Sequence, residues 1–575
     1  MTKTQVTLLL LLGLFCGATR VTNAQGVDYA DQVNPLVGTD SERMLSNGNT
    51  YPAIALPWGM NFWTPQTGRM GDGWQYTYAA HKIVGFKQTH QPSPWIGDYG
   101  AFAILPETGR PRIGEEERAS WYTHKRETAR PYYYRAYLGD YDVWTEIAPT
   151  ERCAQFRITY PASDSSSLLI DAFNKGSYIK ILHGEKKIIG YCRNNQGGVP
   201  ANFHNYFVIR YDVEITSAAT WEGSELFPDR LELQGDHVGA LLQFKTRRGQ
   251  VVHLQIASSF ISPEQADINL AREVGRDSFE QTMTKAKTIW NEGLGKIKAE
   301  GGTEDQTVPF YTALYRTMLF PRKFFEYDRE GRVMHYSPYN GQVLPGYLFT
   351  DNGFWDTFRA AFPLLTIMQT QLVAQIMEGL VNTYKESGWL PEWASPGHRD
   401  CMIGSNSASI VADAWLKGIR GYDIATLYDA LLKNSDQEGP LHSVGRFGVK
   451  FYNELGYVPY DVGVNENAAR TLEYSYDDFA IMKLAQALSR PASEIKRFAG
   501  RARNYRNVFD ASTGFMRGRN KDGSFQVPFR PDKWGDAFTE GCAWHYTWSV
   551  FHDPQGLIDL MGGRTRFIDR LDMVF

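Results

Sequence analysis

Cysteine is scarce. There are five in 575 residues, too few and too widely spaced for a disulfide scaffold to stand in for a hydrophobic core. Cys153, Cys192, Cys401 and Cys542 show no CxxC or Cys/His spacing suited to zinc, and no HExxH occurs. Export would permit disulfides, but these four are expected to be buried free thiols. An excess of one charge is also missing: 60 Lys+Arg stand against 64 Asp+Glu, a net charge of −4 with no run of like sign. That removes the usual electrostatic basis for nucleic-acid binding. Long apolar runs are absent beyond the first residues, so no segment offers the ~20 residues of a transmembrane helix. No solenoid-length repeat is visible either.

Aromatic and apolar residues are plentiful. Hydrophobic residues make up 43% of the chain, with 15 Trp, 32 Tyr and 32 Phe, enough for two or more cores at ~100–200 residues per domain. Flat aromatic faces suit sugar rings as well as protein interiors. Residues 1–24 read as a secretory signal peptide: Lys3, an apolar run from Leu8 to Phe15, then Thr22-Asn23-Ala24 with small residues before Gln25. Export to the periplasm or the extracellular space is expected. Lipid anchorage at Cys16 is disfavoured by the bulk of Phe15 before it. Loss of Lys3 and Arg20 with that segment takes the net charge from −4 to −6.

Periodicity divides the remainder. Ala154, Phe156, Ile158 and Tyr160 alternate with polar residues, and Phe207, Ile209, Tyr211, Val213 and Ile215 do the same, the signature of strands with one wet face. Short runs of this kind recur to Ser262, separated by Gly, Asn and Asp turns without intervening helices, which predicts an antiparallel β-sandwich over residues 25–262. Ser262-Pro263-Glu264-Gln265 then carries an N-cap, a proline at the first helical position and an early acid. A helix from there to about Trp290 is expected within a helical linker over 263–300. The rest, 301–575, reads as helical. Stripes run through Leu365, Met368, Leu372, Ile376 and Leu380, through Ile410, Ala414, Trp415 and Ile419, and through Phe479, Met482, Ala485 and Leu488. Long loops at 387–405 and 434–472 separate them, a length that usually serves function.

Three segments place carboxylates beside aromatics: Thr350 to Arg359 with Trp355 and Asp356, Gly388 to Trp393 with Glu392, and Phe538 to Trp544 with Glu540. Glycoside hydrolysis needs a carboxylic acid for the leaving oxygen, a carboxylate for water or attack, and aromatic and polar groups to hold a sugar. Each has a plainer reading. Asp356 and Arg359 form an i, i+3 pair that an ion pair would explain, and Glu540 could stabilise a helix N-terminus. Glu392, between Trp389 and Trp393, is harder to treat as packing, because an unpaired buried carboxylate is costly; a sugar hydroxyl or a cation is the expected partner. In the strand-rich half, residues 85–100 hold His90, Trp95 and Asp98 among prolines and glycines, a shaped loop rather than a strand.

Taken in order, these residues resemble glycoside hydrolase family 92, the calcium-dependent exo-acting α-mannosidases. The resemblance runs through Val33-Asn34-Pro35-Leu36-Val37-Gly38-Thr39, Gly48-Asn49-Thr50-Tyr51-Pro52-Ala53, Thr89-His90-Gln91-Pro92-Ser93-Pro94-Trp95, Trp355-Asp356-Thr357-Phe358-Arg359, Thr471 to Asp478 and Thr539-Glu540-Gly541. It covers nearly the whole chain after residue 24. It implies a multidomain fold, an N-terminal antiparallel β-sandwich followed by an incomplete (α/α)6 helical toroid, with the active site between them. By the same resemblance Glu540 is the general acid and Asp356 binds hydroxyls of the terminal mannose. The loop bearing His90, Trp95 and Asp98 would reach across to help close the pocket, with Trp95 as a candidate sugar platform, and the carboxylate-aromatic segments add Trp355, Arg359, Glu392 and Trp393 as candidate substrate-binding residues. Calcium, bound to the 2- and 3-hydroxyls, is implied as cofactor, without assigned ligands in this chain. The family's general base lies in a Gly-Asn-Asp-Asp-type motif downstream of the acid. Only 35 residues follow Glu540 here, no such motif is among them, and Asp572 is not promoted to that role. Two alternatives stay open: a non-catalytic carbohydrate-binding remnant, and a glycosidase or lyase of other specificity on the same toroid.

Overall fold

The computed structural model describes residues 28–40, 49–71 and 73–575. The expected signal peptide, Cys16 and Gly48 of the second motif lie outside these residues. The strand-rich half forms two antiparallel sheets. One runs in the order Phe62–Gln66, Gly85–Thr89, Phe102–Thr108, Ser163–Asp171, Val238–Thr246, Ser217–Glu222 and Glu225–Pro228. The other, of nine strands, has Asn205–Tyr211, Gln250–Ser259, Cys153–Tyr160 and Val143–Pro149 at its centre. Register follows the apolar alternation: Leu168 faces Leu242 on one side and Pro106 on the other. Aromatic rings close the space between the sheets. Trp63 meets Phe156 edge-on at 5.0 Å, and Phe102 stacks on Phe207 at 4.6 Å.

Several expectations change here, and Gly85–Thr89, expected as part of a shaped loop, is a strand. The strand at Phe207 ends at Tyr211, before Val213 and Ile215. Its outer face is also not fully wet, since Val208 and Ala257 are buried under Ala266 and Leu270 of the following helix. That helix begins where the capping signal placed it, with Ser262 Oγ accepting the Gln265 N–H. It stops at Glu273, however, and a second helix covers Phe279–Leu294. Gly275, at φ +55°, turns the chain between them.

These two helices bind the sandwich to the rest. Trp290 Nε1 donates to Ala55 O at 2.7 Å, and from the next helix, Glu304–Thr317, Tyr315 Oη donates to Ala53 O at 2.7 Å. Past them the chain is mainly helical, as expected, with local differences. The stripe from Leu365 to Leu380 is split at Gln369 into Ala361–Met368 and Thr370–Ser387. Residues 326–345 form a small three-stranded sheet. The loop expected over 434–472 contains the helix Val449–Leu455 and the start of Asn467–Ala487. This last helix is buried nearly all round, polar residues included, which sets it apart from an amphipathic surface helix. Among the described residues the four cysteines are free. Cys401 is half-buried, against the expectation, and the other three are buried.

Candidate active site

The three carboxylate-aromatic segments converge. Asn352-Gly353 pairs antiparallel with Trp393-Ala394, and Phe354 N donates to Glu392 O at 2.9 Å, so the first two segments are zipped together. Gly353 is required for this: a Cβ there would lie 2.0 Å from Trp393 Nε1. The third segment joins through the buried helix, where Glu466 N and Ala469 N donate to Asp536 O and Ala537 O. Asp351, Met402, Glu466, Asp536 and Glu540 all sit at positive φ, between +47° and +66°. Strained non-glycine backbone of this sort gathers where a site must be held in one geometry.

Glu540 is solvent-exposed on a turn closed by Gly535 N to Gly541 O at 2.8 Å and by Tyr546 Oη to Thr539 O at 2.7 Å. The next residues cap a short helix reciprocally: Cys542 N donates to His545 Nδ1 at 3.1 Å, and the Cys542 sulfur takes the His545 N–H. Desolvation raises the Glu540 carboxyl above its ordinary value, and the charges of Asp356 and Glu466 push the same way. Asp356 is also raised by desolvation, but Trp393 and the Arg359 cation oppose the shift. Asp356 is itself solvent-exposed. The two carboxyls therefore differ in kind: nothing stabilises the Glu540 anion, while an N–H and a guanidinium favour the Asp356 anion. Trp393 Nε1 is buried with no hydrogen bond of normal geometry, and its N–H acts on the Asp356 carboxyl.

Trp355 and Arg359 are anchored by a residue not singled out as a site member. Glu473, 3% exposed, accepts Trp355 Nε1 at 3.2 Å and Arg359 Nη2 at 3.1 Å on the same oxygen. The signal for it was present in the Thr471 to Asp478 run, which places three carboxylates on a helix otherwise built of core residues.

Three of the expected binding residues have other work. Glu392 is buried, and in place of a sugar or a cation its partner is Ser407, whose hydroxyl and N–H reach its two oxygens at 2.6 and 3.0 Å. Burial still holds its carboxyl well above the usual range. His90 is fully buried, with Nδ1 on Tyr99 O at 2.7 Å and Nε2 on Asn61 Oδ1 at 3.0 Å; it fixes the loop from behind. Asp98 is saturated by Lys87 Nζ, Thr89 Oγ1, His90 N and Tyr99 N, all at 2.8 Å. Trp95 alone of that loop is offered outward, 68% exposed. The loop does reach the helical domain, where Ile96 O accepts Arg399 Nη2 at 3.1 Å. Among the described residues no group of three or more His, Cys, Asp or Glu side chains is placed to hold a metal ion.

Similarity to known proteins is extensive. The glycosyl hydrolase family 92 N-terminal domain matches residues 32–259 and the glycosyl hydrolase family 92 catalytic domain residues 265–575. A solved inverting mannosidase of that family from Bacteroides thetaiotaomicron aligns with a TM-score of 0.93 at 45% identity, over 95% of this chain and 74% of its own. A second solved family 92 α-mannosidase from the same organism aligns at 0.85 and 29% identity, over 95% and 74%. An uncharacterised secreted glycosidase of Arthroderma benhamiae is 25% identical, over 98% of this chain and 76% of its length. No helix among the described residues is long and apolar enough to cross a membrane.

Proposed function

Because the chain belongs to glycosyl hydrolase family 92, we propose that it is an exported, exo-acting α-mannosidase that removes terminal α-mannose from N-glycans or mannan with inversion. The observation that carries this reading is the pairing of Glu540 and Asp356: the charge of Asp356 pushes the Glu540 carboxyl up, while only Asp356 has a cation and an N–H to favour its own charge.

Glu540 holds its proton and delivers it to the glycosidic oxygen as the bond to the anomeric carbon breaks. Asp356, its anion favoured by the Trp393 N–H and the Arg359 guanidinium, accepts from hydroxyls of the terminal sugar. Arg359 and Trp355, braced on Glu473, wall the ring in. Inversion places the attacking water on the opposite face, with its activating carboxylate ~6.5–9.5 Å from the acid; we assign no residue of this chain to that role.

Glu540→Gln tests the assignment. Sugar affinity is retained, while turnover of α-mannosides with poor leaving groups falls by ~10²–10⁴-fold. Activated aryl α-mannosides, which need little protonation, lose much less. Equal losses on both substrate types would make Glu540 structural. Product analysis of the unmodified protein on α-mannoside, α-glucoside and uronate panels checks the specificity, and release of a sugar other than mannose would overturn it.

A further inference from the structure

A cavity of about 510 Å³ is lined by segments of the sandwich and by Arg399 of the helical domain. None of Asp356, Trp393 or Glu540 lines it. Its volume is within the ~300–1,000 Å³ range of small-ligand sites.

The charge in this cavity is unbalanced. Lys87, with a side chain only 4% exposed, is paired with Asp98 at 2.8 Å, and Asp98 has no lone pair to spare after its four donors. Two further cations face the same space. Lys175 Nζ rests on Asn195 O at 2.9 Å, and Arg399 on Ile96 O and Ser395 O. These partners are neutral carbonyls, and neither cation has a carboxylate at ion-pair distance among the described residues. Three cations against one carboxylate leave the lining at +2. Over the rim stands Trp95, 68% exposed and braced edge-on by Trp74 at 6.1 Å. An indole face presents itself to the apolar side of a pyranose ring, and two uncompensated cations in a concave wall call for an anion.

We propose that this cavity is a subsite for an acidic sugar of the glycan, a pyranose bearing a carboxylate or a phosphate ester, with its ring on Trp95 and its anion between Lys175 and Arg399. The subsite rests on reading the chain as a glycan-cleaving enzyme, but it requires no cleavage to be seen.

Calorimetric titration of the full chain with glucuronate, mannose 6-phosphate and mannose tests it. At least one acidic sugar binds about tenfold or more tighter than mannose, and its affinity falls as salt is raised from 50 to 500 mM. The two acidic ligands separate carboxylate from phosphate recognition. Lys175→Gln weakens the acidic sugar about tenfold, leaves mannose binding unchanged, and leaves hydrolysis of a neutral aryl α-mannoside unchanged. Acidic sugars that bind no better than mannose, or that bind Lys175→Gln as well as the unmodified protein, overturn the subsite. Failure of the aryl mannoside assay with acidic-sugar binding intact would instead overturn the mannosidase reading and leave the subsite standing.

Discussion

Asp477 is fully buried beneath the site. One of its oxygens accepts from Ser405 N at 2.8 Å and Ser405 Oγ at 3.0 Å, and the other has no partner. Burial is the main cause that lifts its carboxyl from 3.8 to about 7; the Glu473 charge adds to this, and Arg446 opposes it. The folded state therefore binds this proton more tightly than the unfolded chain does. The stabilisation it brings is complete below pH ~4 and is lost as pH rises through about 7. Asp477→Asn keeps the shape and removes the titration, so its stability should change less with pH than that of the unmodified protein. The variant gains relative to it by about 2–4 kcal/mol between pH 4 and pH 8. Urea unfolding of both proteins across that range measures the difference, and parallel pH profiles would show that Asp477 stays ionised when folded. The same residues show where reading a sequence stops. That Glu392 needed a partner followed from its neighbours and the expense of a bare buried charge. That the partner is Ser407, fifteen residues on at the start of a helix, is a fact of tertiary packing that no local pattern contains.

Elements were legible where a period persisted and invisible where it was interrupted. The strand through Phe156 and the helix through Phe479 lie where alternation and 3.6-residue stripes placed them. The break at Gln369 was missed because the apolar stripe runs straight across it, and the three-stranded sheet at 326–345 because its strands are two to four residues long, too short for any period to register. The turn that presents Glu540 belongs to this second kind. Its residue identities pointed to chemistry, but its left-handed φ of +47° is imposed by contacts from further along the chain, above all Tyr546 Oη to Thr539 O. Tyr546→Phe removes that donor from a buried carbonyl at a cost of about 1 kcal/mol. It also frees Glu540, the proposed acid, to wander, and small displacements of a catalytic group are expensive in rate. The expected result is a several-fold to tenfold fall in kcat on poor-leaving-group mannosides, with KM nearly constant. If KM rises and kcat holds, the turn serves binding rather than proton delivery.

At the scale of the whole molecule, the division near Ser262 was visible as a change of period, and the two family matches part at the same place, between residues 259 and 265. What the sequence did not disclose is how tightly the halves are locked beside the site. Arg322 and Asp351 form an ion pair at 2.6 Å with both side chains at 0% exposure. Arg322 also donates to Met60 O at 3.1 Å and lies 3.8 Å from the centre of the Phe62 ring, on the sandwich side. Asp351 accepts Tyr99 Oη from the sandwich and Ser395 Oγ from the segment after Trp393, both at 2.9 Å. Removing one member strands the other's charge in a dry interior, which typically costs 3–5 kcal/mol. Arg322→Met should therefore destabilise the protein by about that amount and lower kcat/KM, since Asp351 directly precedes the Asn352-Gly353 ladder that holds Trp393. Burial already raises Asp351 to about 6 with Arg322 in place. Without the cation it rises further, so the penalty should shrink as pH falls toward 5 and the stranded carboxyl takes up a proton. Adding Asp351→Asn to Arg322→Met should recover most of the loss at pH 8, which urea unfolding of the two single variants and the double reads as a coupling energy. If the double variant is as unstable as the sum of the singles, the pair is not coupled and the lock lies elsewhere in the seam.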